Sequence, residues 1–125
     1  MYQDIINKIC EALTPDLLKG QYKKKEQLHH LAGHCYVASE AAYHLLGGSD
    51  TGWKVYMLNH KQFPEGLKEG ETHWFIKNHM IIIDPTVAQF KGIEIPYDKA
   101  KRKAFLTNKP SKRTMKIIKL INQHN

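Results

Sequence analysis

The sequence feature that most constrains the fold is the stretch "CYVASEAAYHLLGG", residues 35 to 48. Its apolar residues recur at helical spacing and form a narrow stripe of mostly small side chains: Ala38, Ala41, Ala42 and Leu45. The two glycines at its end are typical of a helix terminus. Because so small a contact face lets a helix approach a sheet closely, we expect the helix over 35 to 46 to pack against strands.

Three strand patterns follow this helix. Residues 53 to 59 and 72 to 78 alternate between apolar and polar side chains, and the segment between them is rich in turn residues. The third pattern, "HMIIID" at 79 to 84, follows a tight connection around Asn78 that suits a hairpin. Its run of isoleucines predicts a strand buried on both faces.

Helical patterns stand at both ends of the chain. Residues 2 to 13 form a short amphipathic helix, and residues 110 to 122 form another that Ser111 can cap. We expect the second helix to turn Met115, Ile118 and Ile121 towards the core. A single further turn at 15 to 20 and a basic loop at 21 to 27 are also predicted. The sequence therefore predicts one α+β domain over residues 1–125, with N-terminal helices, a small, mostly antiparallel sheet and a closing helix.

The composition is that of an ordinary soluble protein, with 42% hydrophobic and 25% charged residues among 125. The longest apolar run, "MIII" at 80 to 83, is far too short to cross a membrane, and acids interrupt the apolar pattern of the N-terminus. We therefore expect a cytoplasmic protein without membrane association. Its two cysteines, Cys10 and Cys35, are then reduced thiols, and Cys10 is expected in the core.

A net charge of +7 is concentrated in residues 19 to 27 and 99 to 119. Charge runs of this kind more often form a solvated face than a phosphate-binding site, and the aromatic residues are too scattered to form a base-stacking platform. Nucleic acid is therefore a less favoured partner. The histidine and cysteine spacings do not match those typical of zinc sites, so no metal and no cofactor are expected.

Three residues stand where thiol chemistry needs them. Cys35 begins a helix, whose N-terminus favours the thiolate; His73 lies in a strand; and Asp84 ends the next strand. If those strands pair as a hairpin, the imidazole and the carboxylate come together near one end of the sheet. A thiol, a base and an orienting acid are the set that nucleophilic catalysis requires.

The ordered motifs "GHCYVASEAAYHLLGG", "THWFI" and "IIIDPT" resemble the core of the transglutaminase-like proteins, within the papain-like cysteine-enzyme superfamily. The resemblance covers residues 33 to 90 and is nearest to small stand-alone bacterial or bacteriophage members. It implies that Cys35 is the nucleophile, His73 the general base and acid, and Asp84 the orienting carboxylate.

The implied function is a cysteine-dependent hydrolase (a peptidase, amidase or deamidase) that cleaves an amide or ester through an acyl-enzyme intermediate. A peptide or protein is then the expected substrate. Two alternatives stay open: an acyltransferase of the transglutaminase type, and an inactive binding module whose basic surface holds nucleic acid or an acidic partner.

An acyl-enzyme mechanism also needs donors for the oxyanion, and the backbone N–H of Cys35 is a natural one. The sequence offers several side chains that could support it, without choosing among them: Gln27, His29, His30 and His34. Gln89, close to Asp84 along the chain, either supports the site or caps a turn. Trp53 and Trp74 are interpreted as core residues or as walls of a substrate cleft.

Overall fold

The computed structural model describes residues 2–13, 34–90, 92–105 and 109–123. Within these residues the chain is an α+β protein with three α-helices and one four-stranded antiparallel sheet. The helices are α1 (Tyr2–Ala12), α2 (Cys35–Leu45) and α3 (Lys112–Gln123). The strands are β1 (Lys54–Asn59), β2 (Thr72–Asn78), β3 (Ile81–Ile83) and β4 (Lys101–Lys103). The turn predicted at 15 to 20 and the basic loop at 21 to 27 lie outside the described residues.

Strands β2 and β3 form the predicted hairpin at one edge of the sheet, whose strand order is β3-β2-β1-β4. Asn78 pairs with Ile81, and the two-residue connection places His79 at a φ of 54°. The prediction of burial on both faces is wrong, because β3 is a short edge strand. Ile81 is 45% exposed, and only Ile83 is fully buried.

Strand β4 is an element that the sequence pattern did not predict. Its three side chains are cationic and all exposed, and its backbone pairs with β1 through Val55, Tyr56 and Met57. A lysine- and arginine-only segment has low strand propensity and looks like a solvated surface. Such residues are nevertheless suited to an edge strand, because charge discourages pairing with a further chain.

Helix α2 lies against β2, as its small-residue stripe predicted. Seven of its eleven residues are buried, and the hydroxyl of Ser39 donates a hydrogen bond of 2.8 Å to the carbonyl of Trp74 in β2. The helix ends at the two glycines. Gly47 takes a φ of 96°, and a Cβ there would lie 2.7 Å from the side chain of Thr51, so glycine is required at this position.

The two faces of the sheet are covered differently. The helices and Val55, Ile76 and Ile83 form one apolar cluster, whereas Phe63 and Phe90 from the connecting segments pack on Leu58 and Phe75 across the other face. The side chains of β2 alternate between these clusters, so His73 and Trp74 point to opposite faces.

Helix α3 is capped by Ser111 as predicted, and its buried face is in part the predicted one. Thr114, Ile117 and Ile121 are buried, whereas Met115 is 49% exposed. The prediction was right for Ile121, and Ile118 is half-buried against the core. It was wrong for Met115 because apolar residues occur on more than one side of this helix, and Thr114 occupies a core position that a polarity pattern does not assign to it.

A buried carboxylate joins α3 to α2. Glu40, fully buried in α2, accepts a hydrogen bond of 3.0 Å at Oε1 from the backbone N–H of Ser111. The positive end of the α3 dipole favours a carboxylate at this position. This contact fixes the start of α3 against the helix that carries Cys35.

Candidate active site

Cys35 is the first residue of α2 and is 6% exposed. Its Sγ donates to the backbone carbonyl of Thr72 at 3.5 Å, at the point where the pairing of β1 and β2 ends. The first hydrogen bond of the helix runs from Ala38 N to His34 O, and the side chain of His34 does not cap the helix. The N-terminus of α2 therefore lies at the thiol, and the helix dipole favours a negative charge there.

His73 and Asp84 are held together by the hairpin register. Ile76 pairs with Ile83, so the next residue, Asp84, lies level with Phe75 and on the same face as His73. The Nε2 of His73 and the Oδ2 of Asp84 are 2.7 Å apart, and the two side chains are 0% and 4% exposed. The proximity expected from the hairpin is thus present in the structure.

The imidazole of His73 carries a proton far above neutral pH. Burial alone lowers the pKa of His73, but the charge of Asp84, its hydrogen bond and the nearby Cys35 together raise the pKa to about 10. Because Asp84 engages Nε2, Nδ1 is the nitrogen left for the thiol. Among the described residues Nδ1 has no hydrogen-bond partner in the resting structure. The contribution of Cys35 to the pKa of His73 shows that the thiol and the imidazole are close to one another.

Aromatic rings enclose this ion pair. Phe90 meets the His73 ring edge-on, with centroids 4.7 Å apart, and Phe75 lies 6.4 Å away in a stacked orientation. The hydroxyl of Tyr97 donates to Oδ2 of Asp84 at 2.9 Å. Water is largely excluded from the pair, and charges attract one another more strongly in such surroundings.

The predicted supporting residues lie in different places. His34 is fully buried and directly precedes Cys35, at the N-cap of α2. Gln89 donates to the hydroxyl of Thr86 within its own turn at 3.0 Å, which favours the turn-capping interpretation. Gln27, His29 and His30 lie outside the described residues.

The two tryptophans differ in their relation to the site. Trp53 is 4% exposed and packs edge-to-face on Tyr2, which favours the interpretation of Trp53 as a core residue. Trp74 is half-buried, contacts Tyr36 with centroids 4.8 Å apart, and donates from Nε1 to the hydroxyl of Thr72 at 3.2 Å. It therefore lies beside the first turn of α2.

Three residues that the sequence did not assign to the site contact it or the elements that carry it. Tyr97 contacts Asp84, Ser39 anchors α2 to β2, and Cys10 donates from Sγ to the carbonyl of Pro85 at 3.0 Å. The hydroxyl of Ser39, one helical turn after Cys35, was visible as a polar residue beside the small-residue stripe. The contact of Tyr97 with Asp84 spans 13 positions of the sequence, and that of Cys10 with Pro85 spans 75. No local pattern indicates either of them.

Other features of the described residues bear on alternative chemistries. No group of three His, Cys, Asp or Glu side chains among them could hold a metal ion. Two surface hollows, of about 370 and 610 Å³, lie along α3, and neither is lined by Cys35, His73 or Asp84. No helix in this part of the chain is long and apolar enough to span a membrane.

No family model, curated protein or solved structure matches this chain. A functional assignment therefore depends on the geometry and chemistry of the site.

Proposed function

We propose that this chain is a cysteine-dependent hydrolase of amide or ester bonds, with a papain-like, transglutaminase-like arrangement of Cys35, His73 and Asp84. The observation that carries the proposal is the buried His73 imidazole, bound through Nε2 to Asp84 at 2.7 Å, with Cys35 among the groups that raise its pKa. A cationic imidazole beside a thiol at a helix N-terminus stabilises the thiolate.

The reaction follows from the positions of these groups. The thiolate of Cys35 attacks the substrate carbonyl, and the first-turn N–H groups of α2 stabilise the oxyanion. His73 gives its proton to the leaving amine or alcohol, which leaves an acyl-thioester on Cys35. His73 then takes a proton from water, the hydroxide attacks the thioester, and the acid is released with the Cys35 thiolate and the protonated His73 restored. Transfer to an amine in place of water would make the same site an acyltransferase.

The test is the rate of iodoacetamide labelling of each cysteine against pH, read by mass spectrometry. Cys10 is an internal control, because burial and then the neighbouring Glu11 raise the pKa of its thiol. At pH 6 we expect Cys35 to be labelled about tenfold faster than Cys10 or more. His73→Asn should abolish this difference. His79→Asn changes an exposed histidine of the same hairpin and should preserve it.

A chromogenic ester then tests for the covalent intermediate. We expect a burst of released alcohol and an acyl group on Cys35 alone, both absent in His73→Asn. If Cys35 is labelled no faster than Cys10 at pH 6, and His73→Asn leaves its rate unchanged, the proposed function is wrong.

One observation favours a second candidate, a binding module. Lys99, Lys101, Arg102 and Lys103 are exposed together around β4 and belong to neither the core nor the site. Such a surface suits an acidic partner. An unreactive Cys35 combined with nucleic-acid binding that weakens steeply as salt increases would favour this candidate over the hydrolase.

A further inference from the structure

Oδ2 of Asp84 accepts two hydrogen bonds. The Nε2 of His73 lies 2.7 Å from it, and the hydroxyl of Tyr97 donates to it at 2.9 Å. The other oxygen, Oδ1, is buried and has no hydrogen-bond partner among the described residues. Both donors therefore bind the same oxygen, and together they fix the orientation of the carboxylate relative to the imidazole.

Tyr97 is itself held in place by the sheet. It begins the short 3₁₀ turn Tyr97–Lys99, immediately before β4, and its backbone N–H donates to the carbonyl of Ile95 at 2.9 Å. Its ring packs edge-on against Phe75, with centroids 4.9 Å apart. Because Phe75 lies two residues from His73 on the same strand face, the hydroxyl is fixed relative to the imidazole.

We infer that Tyr97 is a positioning residue for the Cys35–His73–Asp84 site, an inference that rests on the proposed function. An aspartate carboxylate rotates easily about its χ2 torsion, and the imidazole of His73 restrains it through only one hydrogen bond. A second donor, arriving from a different element, fixes the orientation of the carboxylate and hence that of the imidazole. Nδ1 is then directed consistently towards the thiol.

The same hydroxyl also disperses the charge of Asp84. A hydrogen bond to a carboxylate takes up part of its negative charge, so Asp84 holds the imidazolium less strongly than it would alone. Burial, followed by the Asp84 charge and hydrogen bond, raises the pKa of Tyr97, so the phenol stays protonated and remains a donor at neutral pH. Loss of the hydroxyl should therefore raise the pKa of His73 while lowering the reactivity of Cys35.

A merely structural role of Tyr97 would not make its loss raise the pKa of His73 and lower the reactivity of Cys35 together. Tyr97→Phe keeps the ring on Phe75 and removes only the hydroxyl. Tyr56→Phe is the matched control, because Tyr56 also packs on Phe75, with centroids 5.7 Å apart, and its hydroxyl has no hydrogen bond to any of the described residues. Each variant is titrated by NMR at the His73 ring, and its Cys35 labelling rate is measured at pH 6.

We expect Tyr97→Phe to move the His73 midpoint upward by on the order of half a pH unit and to slow labelling about threefold or more. Tyr56→Phe should change neither. A slowly exchanging hydroxyl proton of Tyr97, visible in the unaltered chain and lost in Asp84→Ala, is a second measurement that does not depend on the folding of Tyr97→Phe.

The outcomes separate this inference from the proposed function. If Cys35 is reactive through His73, but Tyr97→Phe matches Tyr56→Phe in both readouts, the role of Tyr97 is overturned and the hydrolase stands. A Tyr97 hydroxyl proton in fast exchange with water also overturns it. If Cys35 is inert in the unaltered chain, both proposals fail together.

Discussion

The buried pair of His73 and Asp84 predicts that the folded chain becomes less stable as the pH rises above neutrality. Burial lowers the pKa of His73, but Asp84 and Cys35 outweigh it and raise the pKa from 6.5 to about 10. Between these values the folded chain keeps a proton that the unfolded chain loses. The stabilisation is therefore fully present below about pH 6.5 and is lost as the pH rises through about 10.

The magnitude follows from that one proton. Between pH 7 and pH 9 the free energy of unfolding should fall by about 3 kcal/mol. Asp84→Asn removes the charge that contributes most to keeping the imidazole protonated, and it leaves burial, which lowers the pKa, opposed by Cys35 alone. The contribution of His73 to the pH dependence should therefore become much smaller.

The measurement is urea unfolding followed by tryptophan fluorescence at several pH values from 6.5 to 9. Asp98→Asn is the control, because it removes an exposed carboxylate in the turn that carries Tyr97. Both cysteines are present in all variants, so differences between variants isolate the His73–Asp84 pair. If the free energy of unfolding falls equally for the unaltered chain and for Asp84→Asn between pH 7 and pH 9, His73 is not charged in the folded chain.

Two further predictions concern the fold that holds the site. His79→Gly should raise the free energy of unfolding by about 0.5–1 kcal/mol, because His79 is exposed and its φ of 54° is a strained value for a residue with a side chain; a lower urea midpoint would contradict this. Ile117→Ala should cost about 2–4 kcal/mol and Met115→Ala under about 0.5 kcal/mol, because Ile117 is fully buried and Met115 is 49% exposed; equal costs in urea unfolding would show that α3 packs through a different face.

The parts of the fold that the sequence predicted are those with a local cause. The small-residue stripe and Gly47 define α2, and the tight connection at His79 fixes the pairing of β2 with β3. Once that register is set, the separation between His73 and Asp84 follows from strand geometry alone. The association of these two residues was therefore predictable without knowledge of the rest of the chain.

The features that sequence reasoning missed depend on contacts between distant segments. The cationic strand β4 forms because β1 offers an unpaired edge, which no property of residues 101 to 103 reveals. Tyr97 reaches Asp84 only because the turn before β4 returns across the face of the sheet. Glu40 binds the start of α3 at Ser111, and no local pattern indicates this contact because it joins residues 71 positions apart.

The cost of burying the site is the strongest argument that it serves chemistry. His73 and Asp84 are almost wholly withdrawn from water, and Oδ1 of Asp84 and Nδ1 of His73 lack hydrogen-bond partners among the described residues. A buried ion pair is seldom more stabilising than apolar side chains of similar volume, and unsatisfied polar atoms add to its cost. The phenylalanines around the pair show that this face of the sheet can be filled with apolar side chains. An imidazole that is kept charged there, with one nitrogen unused and a thiol beside it, is more readily explained by proton transfer than by stability.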